Sequence, residues 1–267
     1  HFGWRWAFAG MAFFGLVLAL LYPIVVKEKR IASPKVVDRH GQKIKPAKSP
    51  LRSLYSSRSV VATYIGSGLQ LFVGGTVIVW MPSYLNRYYG MSTDKAGITA
   101  AVIVLFSAVG TILCGMLCDR LGKDRPDRKV ILAIIYCIGG CILLSIAFAL
   151  PAGTAQLLFI CLGMFIALGT NGPSSAMVAN LTHNSVHGTA FATLTLANNF
   201  LGLALGPLVI GKLSDVIGLH DAFRIMPLVS ILAAIVFFYA KRHYHKDMQR
   251  ADQQAFEMNN AQDMEEK

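Results

Sequence analysis

Residues 130–182 read VILAIIYCIGGCILLSIAFALPAGTAQLLFICLGMFIALGTNGPSSAMVANLT, without one Asp, Glu, Lys or Arg. An uncharged apolar run of roughly 20 residues is what an α-helix needs to cross the hydrocarbon core of a bilayer. This run is about twice that, and Pro151-Ala152-Gly153 divides it into two spans. Outward from it, residues 59–86, 96–118 and 188–211 are equally free of charge. With apolar stretches near each end, the chain predicts seven helices: about 4–26, 59–86, 95–118, 129–150, 155–180, 188–211 and 222–241. The fold class is all-α and polytopic. A membrane barrel would show short alternating segments instead.

Composition agrees. Of 267 residues, 54% are apolar and 15% charged, yet the net charge is +11. A typical soluble domain carries about 25% charged residues. Here the charge collects between the apolar runs, so a nucleic-acid partner is not expected. The connection 27–58 carries Lys27, Lys29, Arg30, Lys35, Arg39, Lys43, Lys45, Lys48, Arg52 and Arg58. Arg120, Lys123, Arg125, Arg128 and Lys129 follow the third span, and Lys241 and Arg242 follow the seventh. Seven alternating spans place all three clusters on one side, which the positive-inside rule makes cytoplasmic. The expected division is 1–26 as one helix, 27–58 as a basic cytoplasmic linker, 59–242 as a six-helix unit, and 243–267 as a polar, partly disordered cytoplasmic tail.

No cofactor is expected. Cys114, Cys118, Cys137, Cys141 and Cys161 sit among Ile, Leu and Gly and read as small packing residues rather than ligands. His243-x-His245 reads as a solvated tail pair and His183 with His187 as a loop pair, so no metal site is expected. A membrane-embedded enzyme needs nucleophiles or acid–base pairs at depth, and the spans offer only Ser, Thr, Asn and scattered Cys.

Two sequence features suggest duplication. Gly3 with Ala7-Phe8 before the first helix is echoed by Gly218 with Ala222-Phe223 before the last. After the third span comes Gly115-x-x-x-Asp119-Arg120-x-Gly122-Lys123, and the sixth holds Gly202-x-x-x-Gly206-Pro207. The first motif resembles the signature loop of the major facilitator superfamily. The resemblance implies that Gly115 and Gly122 allow close helix approach, and that Asp119 with Arg120 makes a gating contact. Asp124 to Asp127 interrupts its basic end. Gly202, Gly206 and Pro207 resemble the glycine-proline motif of facilitator helices, which implies close packing and bending.

The seven spans therefore resemble helices six to twelve of a twelve-helix facilitator: the last helix of a first half and a complete second half. Trp80 to Leu85, and Ala190-Phe191-Ala192 through Asn198-Asn199 to Gly206-Pro207, resemble spinster-type or organic-anion-type members. The resemblance implies a secondary transporter of a small organic solute in the plasma membrane, working by rocker-switch alternating access. Ion coupling would come from N-terminal helices not in this chain. A lysolipid or other amphiphile, or a non-transporting sensor, are the other readings.

With no charge at mid-membrane, neutral polar groups become the substrate candidates. Thr63, Ser67, Gln70 and Gly74 share one helical face. Asn171 sits beside Pro173, and Thr195, Asn198, Asn199 and Gly202 share a side of the sixth span. Gln70, Asn171, Asn198 and Asn199 are the predicted substrate contacts. The stripe also reads as a packing seam, and Asn171 as a partner for carbonyls freed by Pro173. Trp80, Tyr84, Tyr88 and Tyr89 read as an interfacial aromatic belt.

Overall fold

A computed structural model of the protein describes residues 4–25, 55, 57–123, 125–182 and 186–265. It divides into two units, His1–Lys45 and Pro46–Lys267. In the first, α1 (Trp4–Val25) is a single apolar helix. The basic linker expected over 27–58 lies outside the described residues, except for Tyr55 and its last two positions.

The second unit is a bundle of six helices, each long and apolar enough to cross a bilayer. They are α2 (Arg58–Tyr89), α3 (Thr93–Leu121), α4 (Asp127–Ala149), α5 (Thr154–Leu181), α6 (His187–Ile217) and α7, which starts at Leu219. α2 begins under a Ser57 cap, whose Oγ accepts from the Val60 N–H at 3.3 Å. It ends at Gly90, at φ +64°, a left-handed conformation that suits glycine. The turn from α6 into α7 is one residue, Gly218, at φ +88°.

Three of these helices are interrupted. α5 tightens into a 3-10 turn at Leu168–Thr170, ahead of Pro173. α6 widens into a π-helical turn over Asn198–Ala204, ahead of Pro207. α7 passes through a 3-10 turn at Met226–Leu228, around Pro227, and continues as Val229–Glu265. Each sits at a proline, which lacks the N–H that a regular helix uses.

α2 is the central element, meeting α3, α5, α6 and α7. One apolar cluster joins Phe72, Val77, Tyr84 and Leu85 to Leu144, Phe148, Ile160, Met164 and Phe223. Toward the other end, Val60 and Tyr64 pack with Val130, Cys137, Met177, Ala190, Phe237 and Tyr244. The cysteines are free thiols, and Cys114, Cys118, Cys137 and Cys141 are buried. Among the described residues no group of three His, Cys, Asp or Glu is arranged to hold a metal.

The C-terminal stretch adds to the expectation of a polar, partly disordered tail. α7 continues to Glu265, and both Tyr244 and Asp247 are buried. An i, i+3 spacing of these two inward residues turns a mostly polar sequence into an anchored helix, a signal too sparse to mark an apolar stripe.

Candidate functional site

The centre of the bundle is set by how closely α2 and α6 approach. A Cβ at Gly202 would stand 2.8 Å from the Leu71 Cβ and 3.1 Å from the Gly68 carbonyl. At Gly206 it would stand 2.6 Å from the Phe72 carbonyl and 2.8 Å from Thr76 Oγ1. Gly68 in turn faces the Leu201 Cβ and the Ala197 carbonyl. This is backbone-on-backbone packing of the kind that small residues permit in membranes. The indole N–H of Trp80 donates to the Pro207 carbonyl at 2.9 Å, pinning the two helices beyond the π turn. Trp80 therefore bonds inward across a helix crossing rather than serving only an interfacial belt.

Gln70 lies in the seam between α2 and α5, fully buried. The 3-10 turn explains its partner. The Asn171 N–H bonds Leu168, three residues back, and leaves the Ala167 carbonyl free. Gln70 Nε2 donates to that carbonyl at 3.2 Å, as does Thr170 Oγ1. Gln70 Oε1 is buried without a partner. Thr63 bonds its own helix at Ser59, and Ser67 is buried with its hydroxyl unpaired. The polar stripe of α2 is thus enclosed by helix packing. Asn171 is half-buried, and its side chain bonds none of the described residues. The carbonyl at the kink is met by Gln70 and Thr170.

On α6 the two adjacent amides differ. Asn198 is half-buried with a buried, unpaired Oδ1, whereas Asn199 is exposed. Both belong to the π turn, where the Leu205 N–H reaches back five residues to Phe200. Such turns are rare and frequent at functional sites. Thr195 is exposed and bonds Phe191 of its own helix. Gln70, Asn171 and Asn198 do not hydrogen-bond one another.

At the far end of α3, Asp119 and Arg120 are exposed, and Asp119 has no ion pair among the described residues. Gly122 is buried against the Lys129 stem and the Cys118 carbonyl. Gly115 is met from α5, where a Cβ at Gly172 would stand 2.9 Å from the Gly115 Cα. His187 is placed by packing, its Nε2 being 2.9 Å from the Thr182 carbonyl and 3.0 Å from that of Ala179. His183 lies outside the described residues. His245, on the α7 extension, pairs with Asp127 at 2.6 Å.

Two polar clusters were not legible in the sequence. At the basic end, Asp247 Oδ2 accepts from Ser59 N and Oγ and from Ser57 Oγ at 2.7–2.9 Å. The apolar stretch of α7 closes at Ala240, so Asp247 stands beyond the membrane-spanning part. Burial alone would raise its carboxyl. The Ser59 and Ser57 hydrogen bonds and the Arg250 charge outweigh that and hold it below the usual value. At the opposite end, Tyr84 is fully buried rather than part of a surface belt. Its hydroxyl meets Gln156 Nε2 at 3.0 Å and His220 Nδ1 at 3.1 Å. Both clusters join residues so far apart in sequence that no local pattern announces them.

The profile of the Major Facilitator Superfamily matches residues 1–203. A probable L-galactonate transporter of Escherichia coli is 24% identical over 233 residues, covering 80% of this chain and 49% of that protein. The sphingosine-1-phosphate transporter SPNS2 of Danio rerio is 23% identical over 284 residues, covering 94% of this chain and 55% of the relative. The chain thus spans about half the length of the curated relatives it matches. The crystal structure of a bacterial homolog to the human lysosomal transporter Spinster, inward-facing and unoccupied, superimposes with a TM-score of 0.64 at 18% identity, covering 78% of this chain and 54% of that one.

Proposed function

The chain belongs to the Major Facilitator Superfamily, and on that premise we propose that it supplies one side of a secondary transporter for a small organic solute. In this reading α1 is the last helix of one six-helix half, and α2–α7 are the other half. The curated relatives are about twice as long, and the Gly-x-x-x-Ala-Phe echo before α1 and α7 supports the same division. Two-half transporters hold substrate near the midplane and expose it alternately by rocking. The basic connection 27–58 and the α7 extension would face the cytoplasm of a plasma-membrane protein.

The observation that carries the reading is the π turn of α6. Within it Asn198 Oδ1 is unpaired and Asn199 is exposed, on a stretch, 188–211, with no charge. Such amides suit hydroxyl and carbonyl groups of a solute and provide no counter-charge for an anion. Asn199, Asn198 and Asn171 are then the contacts from this half, and Gln70 braces the α5 kink behind them. Ion coupling and any cationic contact with an anionic substrate belong to the other half.

Two substrate classes follow from the relatives: a sugar acid, as for the galactonate transporter, or a lysolipid-like amphiphile, as for SPNS2. The exposed apolar side chains beside the amides, Leu196, Phe200 and Leu203, favour an amphiphile. Vesicles containing the complete transporter, assayed for uptake of each class with the other as competitor, test the proposal. Accumulation of one class supports transport; binding without accumulation of either would make the protein a sensor.

A further inference from the structure

The polar cluster at the Tyr84 end has a hydrogen-bond order fixed by one carbonyl. Gln156 is fully buried, and its Nε2 lies 3.1 Å from the Leu150 carbonyl and 3.0 Å from the Tyr84 hydroxyl. Turning the amide over would set its oxygen against the Leu150 oxygen, so the nitrogen must face both. Tyr84 therefore accepts from Gln156 and has its single proton left to give. The acceptor within reach is His220 Nδ1 at 3.1 Å, which can take that proton only when the nitrogen carries none of its own. On the other side, Gln156 Oε1 accepts from the Tyr89 hydroxyl at 2.5 Å, and Tyr89 accepts from the Gly153 N–H at 3.2 Å. One chain of bonds thus runs from α7 through α2 and α5 to the α4–α5 turn.

We propose that His220 is a proton-operated latch: its neutral ring closes this chain, and a proton on Nδ1 opens it and loosens the Tyr84 end of the bundle. When Nδ1 takes a proton from solvent, it becomes a donor facing the same Tyr84 oxygen that Gln156 already bonds. The Tyr84 proton then has no acceptor, and leaving a buried donor unmet is costly. His220 is only half-buried, so solvent protons reach it.

The groups facing the ring are few. Tyr88 of α2 stacks on it, with centroids 4.4 Å apart and planes 12° from parallel. Tyr84 lies alongside, at 6.1 Å between centroids. On α7 itself, Asp221 and Arg224 form a 3.7 Å pair and act on the ring with opposite sign. Phe148 and Phe223, which pack on Tyr84, bring no charge. Stacking on Tyr88 would favour a charged ring, weakly at an exposed site. That is smaller than the cost of stranding the Tyr84 proton, so the neutral ring wins in the closed arrangement.

Hydrogen exchange of the full chain in lipid nanodiscs, read by mass spectrometry between about pH 8 and pH 5 and normalised for intrinsic exchange, tests this. Peptides covering 84–92, 148–156 and 216–224 should lose protection about fivefold through the histidine range. Peptides covering 57–64 and 240–247 serve as a folding control and should not change. His220→Gln offers an acceptor to Tyr84 and cannot take a proton, so it should keep protection at both ends of the range. Tyr84→Phe cuts the chain and should be equally exchange-prone at every pH. A pH-independent wild type, or a His220→Gln or Tyr84→Phe protein with the wild-type response, would overturn the latch. Because the readout needs no substrate, it stands apart from the uptake test of the transport reading.

Discussion

The carboxylate of Asp247 caps the first turn of α2 through Ser59, 188 positions earlier in the chain: its Oδ2 accepts from the Ser59 N–H at 2.9 Å and from the Ser59 hydroxyl at 2.7 Å. The start of α2 and the polar extension of α7 are thereby locked together. The Ser59 hydroxyl also reaches the Ala240 carbonyl at 3.2 Å. A negative charge is favoured at that point, where the first N–H groups of α2 are unmatched within the helix.

Asp247→Ala should remove this clasp and cost about 1–2 kcal/mol, as for other helix caps. Increased exchange at residues 58–62, with the Tyr84 end unaffected, is the expected signature. The carboxyl is held below its usual value, so its contribution is complete above an ordinary carboxylate value near 4. It fades as pH falls through the lower, folded value. Acid unfolding of the wild type should accordingly begin in this seam, and Asp247→Asn should blunt that pH dependence.

Gly206→Ala should be destabilising by about 1–3 kcal/mol, because its methyl would meet the Phe72 carbonyl, which belongs to another helix and cannot rotate away. Gly97→Ala on α3 meets nothing within 4 Å and should be neutral or stabilising, by up to about 1 kcal/mol. Thermal unfolding in detergent compares the two. Equal effects would show that the α2–α6 approach is not tight.

Replacing Gln70 and Asn199 should separate bracing from binding. Gln70→Ala leaves the Ala167 carbonyl beside the α5 kink with Thr170 Oγ1 but without its bond from α2, and should lower the melting temperature. Asn199→Ala should leave stability alone and weaken substrate binding by up to about tenfold, the scale of one hydrogen bond. Equilibrium binding to the complete transporter, alongside thermal shifts, distinguishes them; a Gln70→Ala protein of normal stability would place that residue among the contacts instead.

Asp119→Asn should slow transport in the complete protein while leaving equilibrium affinity within a few-fold. The carboxylate is exposed at the end of α3, far from the half-buried amides of α6 in sequence and element. A large loss of affinity in a folded protein would put Asp119 in the binding site.

Cysteines introduced singly at Ser92 and Lys246, both exposed, should react with an impermeant reagent from opposite faces of the membrane. Reaction of both from the same face would break the proposed orientation.

The helices were legible in the sequence because each needs only length, apolarity and freedom from charge, which are properties of a contiguous run. Proline positions carried further information, since the interruptions of α5 and α6 fall beside Pro173 and Pro207. What the sequence could not say was which way the interrupted helices would relax. α5 tightened into a 3-10 turn and α6 widened into a π turn, and that choice depends on neighbours: Gln70 takes the carbonyl released by one, and Trp80 pins the carbonyl beyond the other.

Gln70 shows where reading a face ends. Its polar stripe on α2 is a fact of 3.6-residue periodicity, and periodicity alone leaves open whether that face meets a cavity or another helix. Packing decided it, because α2 is surrounded by four helices and Gln70 has no exposed surface. The same holds for Tyr84 and Asp247. Tyr84 read as an interfacial aromatic and Asp247 fell unremarked in a polar tail, but each is a buried hydrogen-bonding group through partners 136 and 188 positions away. Local sequence determined what each segment of this protein is, because the bilayer requires every span to satisfy its own backbone. Tertiary structure alone decided which polar side chains are enclosed, which are paired and which remain open, because those outcomes belong to contacts between spans.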